Sequence, residues 1–118
     1  MNAKYLSNMP AEPVRLTEVE QLVLLAALRL GDGAYAVPIR EVVTRNTGIS
    51  LSRGSIYVAL DRLKAKGLVE SWFSEPTAEP GGKARRLFRV CPEGVSALRA
   101  GRRAMDRLSA GTTMERSR

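Results

Sequence analysis

The stretch GISLSRGSIYVALDRLKAKGLVE, from Gly48 to Glu70, decides the fold of this 118-residue chain. Ser52 has the side chain of a helix N-cap, and beyond it Ile56, Leu60 and Leu63 recur at i, i+4 and i+7. One stripe therefore faces a core, while Arg53, Tyr57, Asp61 and Arg62 lie mostly outside it. Lys66 and Gly67 stop the helix, because glycine takes the left-handed cap conformation at little cost. The chain then passes directly into the apolar positions Leu68, Val69, Trp72 and Phe73, and Gly81, Gly82, Lys83, Ala84, Arg85 and Arg86 follow as a basic turn. Helix, strand, basic turn and return strand is the order a winged helix-turn-helix requires.

Upstream, Thr17 and Glu20 have the spacing of a capping box, in which hydroxyl and carboxylate each satisfy an end amide. Val19, Leu22, Val23, Leu25, Ala26 and Leu30 form a broad apolar face on the helix that follows, and Leu24 and Leu28 widen it almost all round. A helix so apolar in a small protein lies at the centre of the core or against a second subunit. Gly31, Asp32 and Gly33 end it. After a short extended piece around Tyr35, Val37 and Pro38 begin a second helix, with proline at its first position. Ile39, Val42 and Val43 face inward, and Thr47-Gly48 closes it. Ser52 opens the third helix four residues after Gly48, the tight separation of a helix-turn-helix.

Downstream, residues 68–74 are expected to form one strand, residues 75–83 a turn, and residues 84–90 a return strand carrying Leu87, Phe88 and Val90. Pro92, Glu93 and Gly94 start a last helix with Val95, Leu98, Met105 and Leu108 at roughly helical spacing. The fold class is thus mostly α with a small antiparallel β-hairpin. Residues 1–13, with Pro10 and Pro13 and no periodicity, read as a flexible arm. Residues 14–110 read as one winged-helix domain that includes a terminal dimerisation helix, and residues 111–118 as a frayed basic tail.

Composition narrows the function classes. Aromatic residues make up only 5% of the chain, so the core must come from Leu, Val, Ile and Ala, which suits a small helical domain. The formal charge is +7, and residues 1–80 carry equal numbers of acidic and basic groups. All the excess lies beyond residue 80, in the basic turn and the arginine-rich end, which points to a polyanionic partner. With no histidine and one cysteine, Cys91, neither an ordinary zinc site nor an internal disulfide is available, and a reduced cytoplasm is the expected setting. The longest apolar run, Leu22 to Leu28, is far short of a membrane span. Scattered carboxylates, a cysteine without a partner base and glycines that open no helix argue against catalysis or a nucleotide-phosphate loop. No cofactor is expected.

Several of these pieces together resemble the PadR-like transcriptional regulators. They are Leu16 to Glu20, Ala34-Tyr35-Ala36, Thr47-Gly48, the run Gly54 to Leu63, Lys66 to Val69, the turn Gly81 to Arg86, and Pro92-Glu93-Gly94. They cover residues 14 to 100 in the right order. The resemblance implies a winged helix-turn-helix of the short form, without a separate C-terminal domain. It also implies a dimer formed through the N- and C-terminal helices and binding to a roughly two-fold operator, usually as a repressor. Ala36 departs from the family, where glycine often follows the tyrosine. Cys91 stands where threonine usually precedes Pro-Glu-Gly, so the last helix loses a hydroxyl cap, a cost on the order of 1 kcal/mol.

The candidate double-stranded-DNA contacts are Ser52, Arg53, Ser55, Tyr57 and Arg62 on a recognition helix spanning residues 52–66, and Gly82, Lys83, Arg85 and Arg86 on a wing spanning 75–86. Arginine can bond guanine through two donors, whereas hydroxyls more often meet phosphate. Ser52 also has the capping role, and Gly54 permits close approach of a phosphate or of a neighbouring helix. Lys83, Arg85 and Arg86 have no acidic neighbour in sequence. Trp72 and Phe73 are expected in the core, or else lining a pocket for a small-molecule effector at a dimer interface. Leu22, Leu24, Leu25, Leu28, Leu98, Met105 and Leu108 are the candidate homodimer contacts. Beside the specific regulator stands an alternative: a winged-helix module for protein interaction or non-specific nucleic-acid binding, with no operator of its own.

Overall fold

The computed structural model describes residues 14–75 and 84–116. Among these described residues, five helices and one hairpin follow in the order α1 (Glu18–Leu30), α2 (Ala36–Thr47), α3 (Arg53–Ala65), β1 (Val69–Phe73), β2 (Arg86–Val90), α4 (Pro92–Ser109) and α5 (Thr113–Arg116). The expected arm at residues 1–13, the wing tip at 76–83 and the final two residues lie outside the described residues.

Helix α1 starts at the capping box expected of it. Glu20 N donates to Thr17 Oγ1 at 3.1 Å, and Thr17 N donates to Glu20 Oε1 at 2.7 Å. The carboxylate has a second task that its spacing does not reveal. Glu20 is buried, and Lys66 Nζ, just past the end of α3, reaches both of its oxygens at 2.9 Å while also donating to the Arg15 carbonyl. Burial raises the carboxyl pKa, but the bonds from Lys66 and from the Thr17 amide outweigh it and hold the group below its ordinary value.

Helix α1 is central, touching α2, α3, β2 and α4. That position explains its all-round apolar character and corrects one expectation: Leu24 is fully buried within the chain and has no surface left for a second subunit. Leu25 and Leu28 remain about two-fifths exposed. The second helix begins at Ala36 with Tyr35 as N-cap, so Pro38 occupies its third position rather than its first. Proline is tolerated there for the same reason, since amides of the first turn have no intrahelical acceptor. Ile39 and Val43 are buried and Val42 is half-buried.

In α3, Ile56, Leu60 and Leu63 are each 0% exposed. Full burial of each is worth about 1.5–3 kcal/mol, which makes this stripe the anchor of the helix. The helix ends in a Schellman turn. Gly67 takes φ 76°, its amide donates to Lys64 O, and the amide of Leu68 donates to Leu63 O. Leu68 is thereby pinned in the core beside Leu63, and β1 starts at the next residue.

Strands β1 and β2 pair antiparallel with Val69 opposite Val90 and Phe73 opposite Arg86. On its other side Phe88 donates to the Ala34 carbonyl at 2.7 Å, so the extended piece before α2 adds a single bridge. The alternation of the hairpin overturns the expected placement of two aromatics. Phe88 faces the helices and is fully buried, whereas Trp72 lies on the outer face and Phe73 at the far end of β1, 70% exposed. The helical layer ends before it can cover Phe73.

Cys91 caps α4 without a side-chain bond, in keeping with the missing hydroxyl. Burial, and then the nearby Glu70 and Glu93 carboxylates, push its thiol pKa up, so it is not an activated thiolate. Gly94 explains the small residue in the first turn of this helix. A Cβ there would sit 2.6 Å from Leu68 O and 2.8 Å from Val90 Cγ1. Leu98 is buried in the core with Ala97, a second correction to the expected dimer contacts, while Met105 and Leu108 are 66% and 78% exposed. Within the tail expected to fray from Gly111, Thr113–Arg116 form the helical turn α5.

Candidate nucleic-acid interface

The site is built on α3, whose N-terminus is held by Ser52. Its Oγ accepts the Ser55 amide at 3.0 Å and contacts Ser55 Oγ at 2.9 Å, so Ser52 performs the capping task. The turn before it is braced by a residue the sequence reading passed over. Arg40 Nε, on α2, donates to Leu51 O at 2.8 Å, and Thr44 Oγ1 donates to Ile49 O. These bonds fix α3 relative to α2 through backbone carbonyls of the five-residue connection, residues 48–52.

With one face of α3 buried, the other presents Arg53, Gly54, Ser55, Tyr57, Val58, Asp61, Arg62 and Lys64, all exposed. The expected contact residues divide between two flanks. Arg53 and Tyr57 stand one turn apart on one flank; Ser55 and Arg62, two turns apart, share the other, about 140° from Tyr57 to Arg62 around the axis. Gly54 and Val58 lie between them. Among the described residues a Cβ at Gly54 would meet only Ser52 Oγ, at 4.0 Å, so none of the described helices requires the glycine. Close approach of an external group is the reading that stays open.

The root of the wing is tied to this surface. Arg85 donates through Nη1 to Tyr35 Oη at 3.1 Å and lies over its ring, 4.7 Å from the centroid. Its backbone pairs with Ser74, whose hydroxyl accepts the Arg85 amide at 2.8 Å. Arg86 behaves differently from the cation without an acidic neighbour that sequence suggests. Its Nη1 lies 2.9 Å from Asp61 Oδ1 on α3, its Nε donates to Ser71 Oγ at 3.0 Å, and its guanidinium stacks over Phe88. Arg86 is therefore a strut between hairpin and α3, with its charge matched inside the protein. Gly82 and Lys83 lie outside the described residues.

Tyr35, Asp61, Ser71 and Lys64 join the site although none of them was among the expected contact residues. Lys64 carried a local signal, being a cation on the polar face of α3. The Asp61–Arg86 pair carried none, since it depends on how closely β2 approaches α3. Elsewhere on the hairpin, Arg89 pairs with Glu70 and lies over Trp72.

On α1 and α2 a second feature is apolar. A groove of about 490 Å³ runs between them, lined by Leu22, Leu25, Leu28, Val42 and Val43 with Arg29, Asn46 and Thr47 at its polar positions. Among the described residues no helix is long and apolar enough to cross a membrane.

Comparison with known proteins bears on this arrangement. A transcriptional regulator from Mycobacterium tuberculosis, Rv3488, is 39% identical over 62 residues, which are 52% of this chain and 54% of that protein. The chain thus matches about half the length of that curated relative. A transcriptional regulator from Clostridium thermocellum has a similar fold, with TM-score 0.66 and 22% identity over 77% of this chain and 85% of that one. A PadR family transcriptional regulator from Eggerthella lenta aligns with TM-score 0.63 and 25% identity, covering 82% of each chain. The model of the transcriptional regulator PadR-like family matches residues 24–100. That span runs from the middle of α1 into the first half of α4 and takes in every element that frames α3, so the chain belongs to the transcriptional regulator PadR-like family, a family of regulators and not of enzymes.

Proposed function

We propose that the protein is a sequence-specific, dimeric DNA-binding repressor that lays α3 in the major groove and the wing against the adjacent backbone. The observation that carries this reading is the division of α3. Its apolar stripe is consumed by the core, its opposite face carries Arg53, Ser55, Tyr57, Asp61 and Arg62 around Gly54 and Val58, all exposed, and Arg85 and Arg86 join the hairpin to its surroundings through Tyr35 and Asp61. Arg53 and Arg62 are the base-reading arginines, and Ser55 and Tyr57 contact phosphate. Lys83 and Arg85 supply wing contacts to the backbone. The excess of basic residues beyond residue 80 favours the same partner.

The second subunit packs on the apolar surface of α1, at Leu22, Leu25 and Leu28, and on the exposed end of α4, at Met105 and Leu108. Two copies related by a two-fold axis then present two α3 helices to two half-sites. An aromatic effector that stacks on Trp72 is a further element of this reading, read out by Trp72 emission in a titration.

The test is fluorescence anisotropy of the purified protein with the duplex immediately upstream of its own gene, against a scrambled duplex, at several salt concentrations. A preference of about 10³ or more at physiological salt is expected of a specific regulator. Equal, steeply salt-dependent binding to both duplexes would count against it and favour a charge-driven module. Sedimentation equilibrium at micromolar concentration tests the dimer directly, and a monomer there would remove that part of the proposal.

A further inference from the structure

We propose that Asp61 is a base-reading residue of α3, its free carboxylate oxygen accepting a hydrogen bond from the exocyclic amino group of cytosine; the inference rests on the DNA-binding reading above. A carboxylate on a surface that meets DNA repels phosphate, so an unpaired one there is unfavourable. Asp61 stands on that surface, one turn beyond Tyr57, with its side chain 61% exposed. It is also the residue of α3 to which the hairpin is tied. Arg86 holds Oδ1 at 2.9 Å, and Arg86 is itself fixed by Ser71 Oγ and the Phe88 ring, its side chain only 25% exposed.

Two consequences follow from this geometry. The pair carries no net charge, so the flanking phosphates are not repelled. The tether leaves Oδ2 without a partner among the described residues while restricting the side chain's rotation, which lowers the ordering cost of a contact made through that oxygen. In the major groove the exposed amino donors belong to cytosine and adenine. Adenine sets its N7 acceptor beside the amino group, where it opposes a carboxylate; cytosine presents the donor without it. A single anionic acceptor therefore selects cytosine.

The experiment selects duplexes from a pool with a randomised centre, using the purified full-length protein and its D61N and D61A variants, followed by anisotropy on single-base changes in the selected site. The wild type is expected to enrich a motif with cytosine at one position of each half-site, and changing that cytosine should weaken binding about fivefold to tenfold. D61A should lose discrimination at that position alone. D61N, with Oδ1 still held by Arg86 and Nδ2 now facing the base as a donor, should lose the cytosine preference and favour a base that presents an acceptor there. A common motif and equal discrimination in all three proteins, or one uniform loss of affinity in both variants, would make Asp61 a brace for the wing and overturn the proposal. If the wild type enriches no sequence, the operator-binding reading itself fails and takes this inference with it.

Discussion

Helices α3 and α4 are written in the same amphipathic period and meet different fates. In α3 every position of the apolar stripe, from Ile56 to Leu63, is at most 3% exposed, and the opposite face sets charged side chains around exposed Gly54 and Val58. In α4 only the first turns reach the core, at Gly94, Ala97 and Leu98. From Arg102 to Leu108 every residue is exposed, including two large apolar side chains. A helix of this length extends about 27 Å, farther than the small helical layer can cover. The stripe of α3 is thus explained by the single chain, while at the end of α4 Met105 and Leu108 stay exposed among the described residues.

The comparison breaks first at the α3 core. Leu63→Ala should cost about 2–5 kcal/mol in urea denaturation, since its side chain is fully buried in the core and alanine leaves a cavity there. A loss under about 1 kcal/mol would mean that α3 is not anchored as described.

The start of α4 comes next. Gly94→Ala places a methyl 2.6 Å from a backbone carbonyl, and about 1–3 kcal/mol should be lost in the same measurement as the helix is pushed off the hairpin. An unchanged midpoint would show that the first turn of α4 is free to shift, and the contrast between its two halves would disappear.

The far end of α3 is tied down by charge. Lys66→Ala leaves Glu20 buried with half its partners gone, and about 1–3 kcal/mol should be lost, the lower part of that range being favoured by the partial exposure of Lys66. The pH dependence has a definite sign. Because the folded-state pKa of Glu20 is lowered, its contribution is fully present above the ordinary carboxyl range and is lost as the pH falls through the folded value. Denaturation midpoints measured from about pH 6 down to pH 3 should decline, and E20Q should decline less steeply.

The smallest effect on the stability of the single subunit, measured at a concentration low enough to dissociate any dimer, should come from Leu108→Glu, within about 0.5 kcal/mol, because the side chain is already in water in the single chain. Its effect should fall instead on sedimentation mass, which drops toward the monomer if α4 pairs with a second copy. A large stability loss with unchanged mass would place Leu108 in an intrachain contact and erase the difference between the two helices.

Much of this architecture was legible because it is local. The Thr17 capping box, the Ser52 cap, the stop at Gly67 and the stripe of α3 each involve residues within a few positions of one another. Two apolar positions were misplaced because burial is not local. Leu24 and Leu98 have the composition of interface residues, and only the position of α1 between α2, α3, β2 and α4 consigns them to the core. Trp72 and Phe73 erred in the opposite direction: Trp72 is left exposed because strand alternation turns it to the outer face, and Phe73 because the helices end before it. At the candidate site, helical periodicity was enough to bring Arg53, Tyr57 and Arg62 to the surface. It gave no sign that Arg86 would turn inward to Asp61, or that Arg85 would rest on Tyr35.

What the sequence by itself determined is the order of the elements from α1 to α4, the caps that open α1 and α3, the glycine stops that follow α1, α2 and α3, and the inner face of α3. These depend on backbone conformation, capping and period, which each residue negotiates with its near neighbours. Only the tertiary structure decided which apolar faces find cover, which cations find a carboxylate and why Gly94 has no room for a side chain. Those outcomes depend on the distance between segments far apart in the chain, and no local pattern encodes that distance.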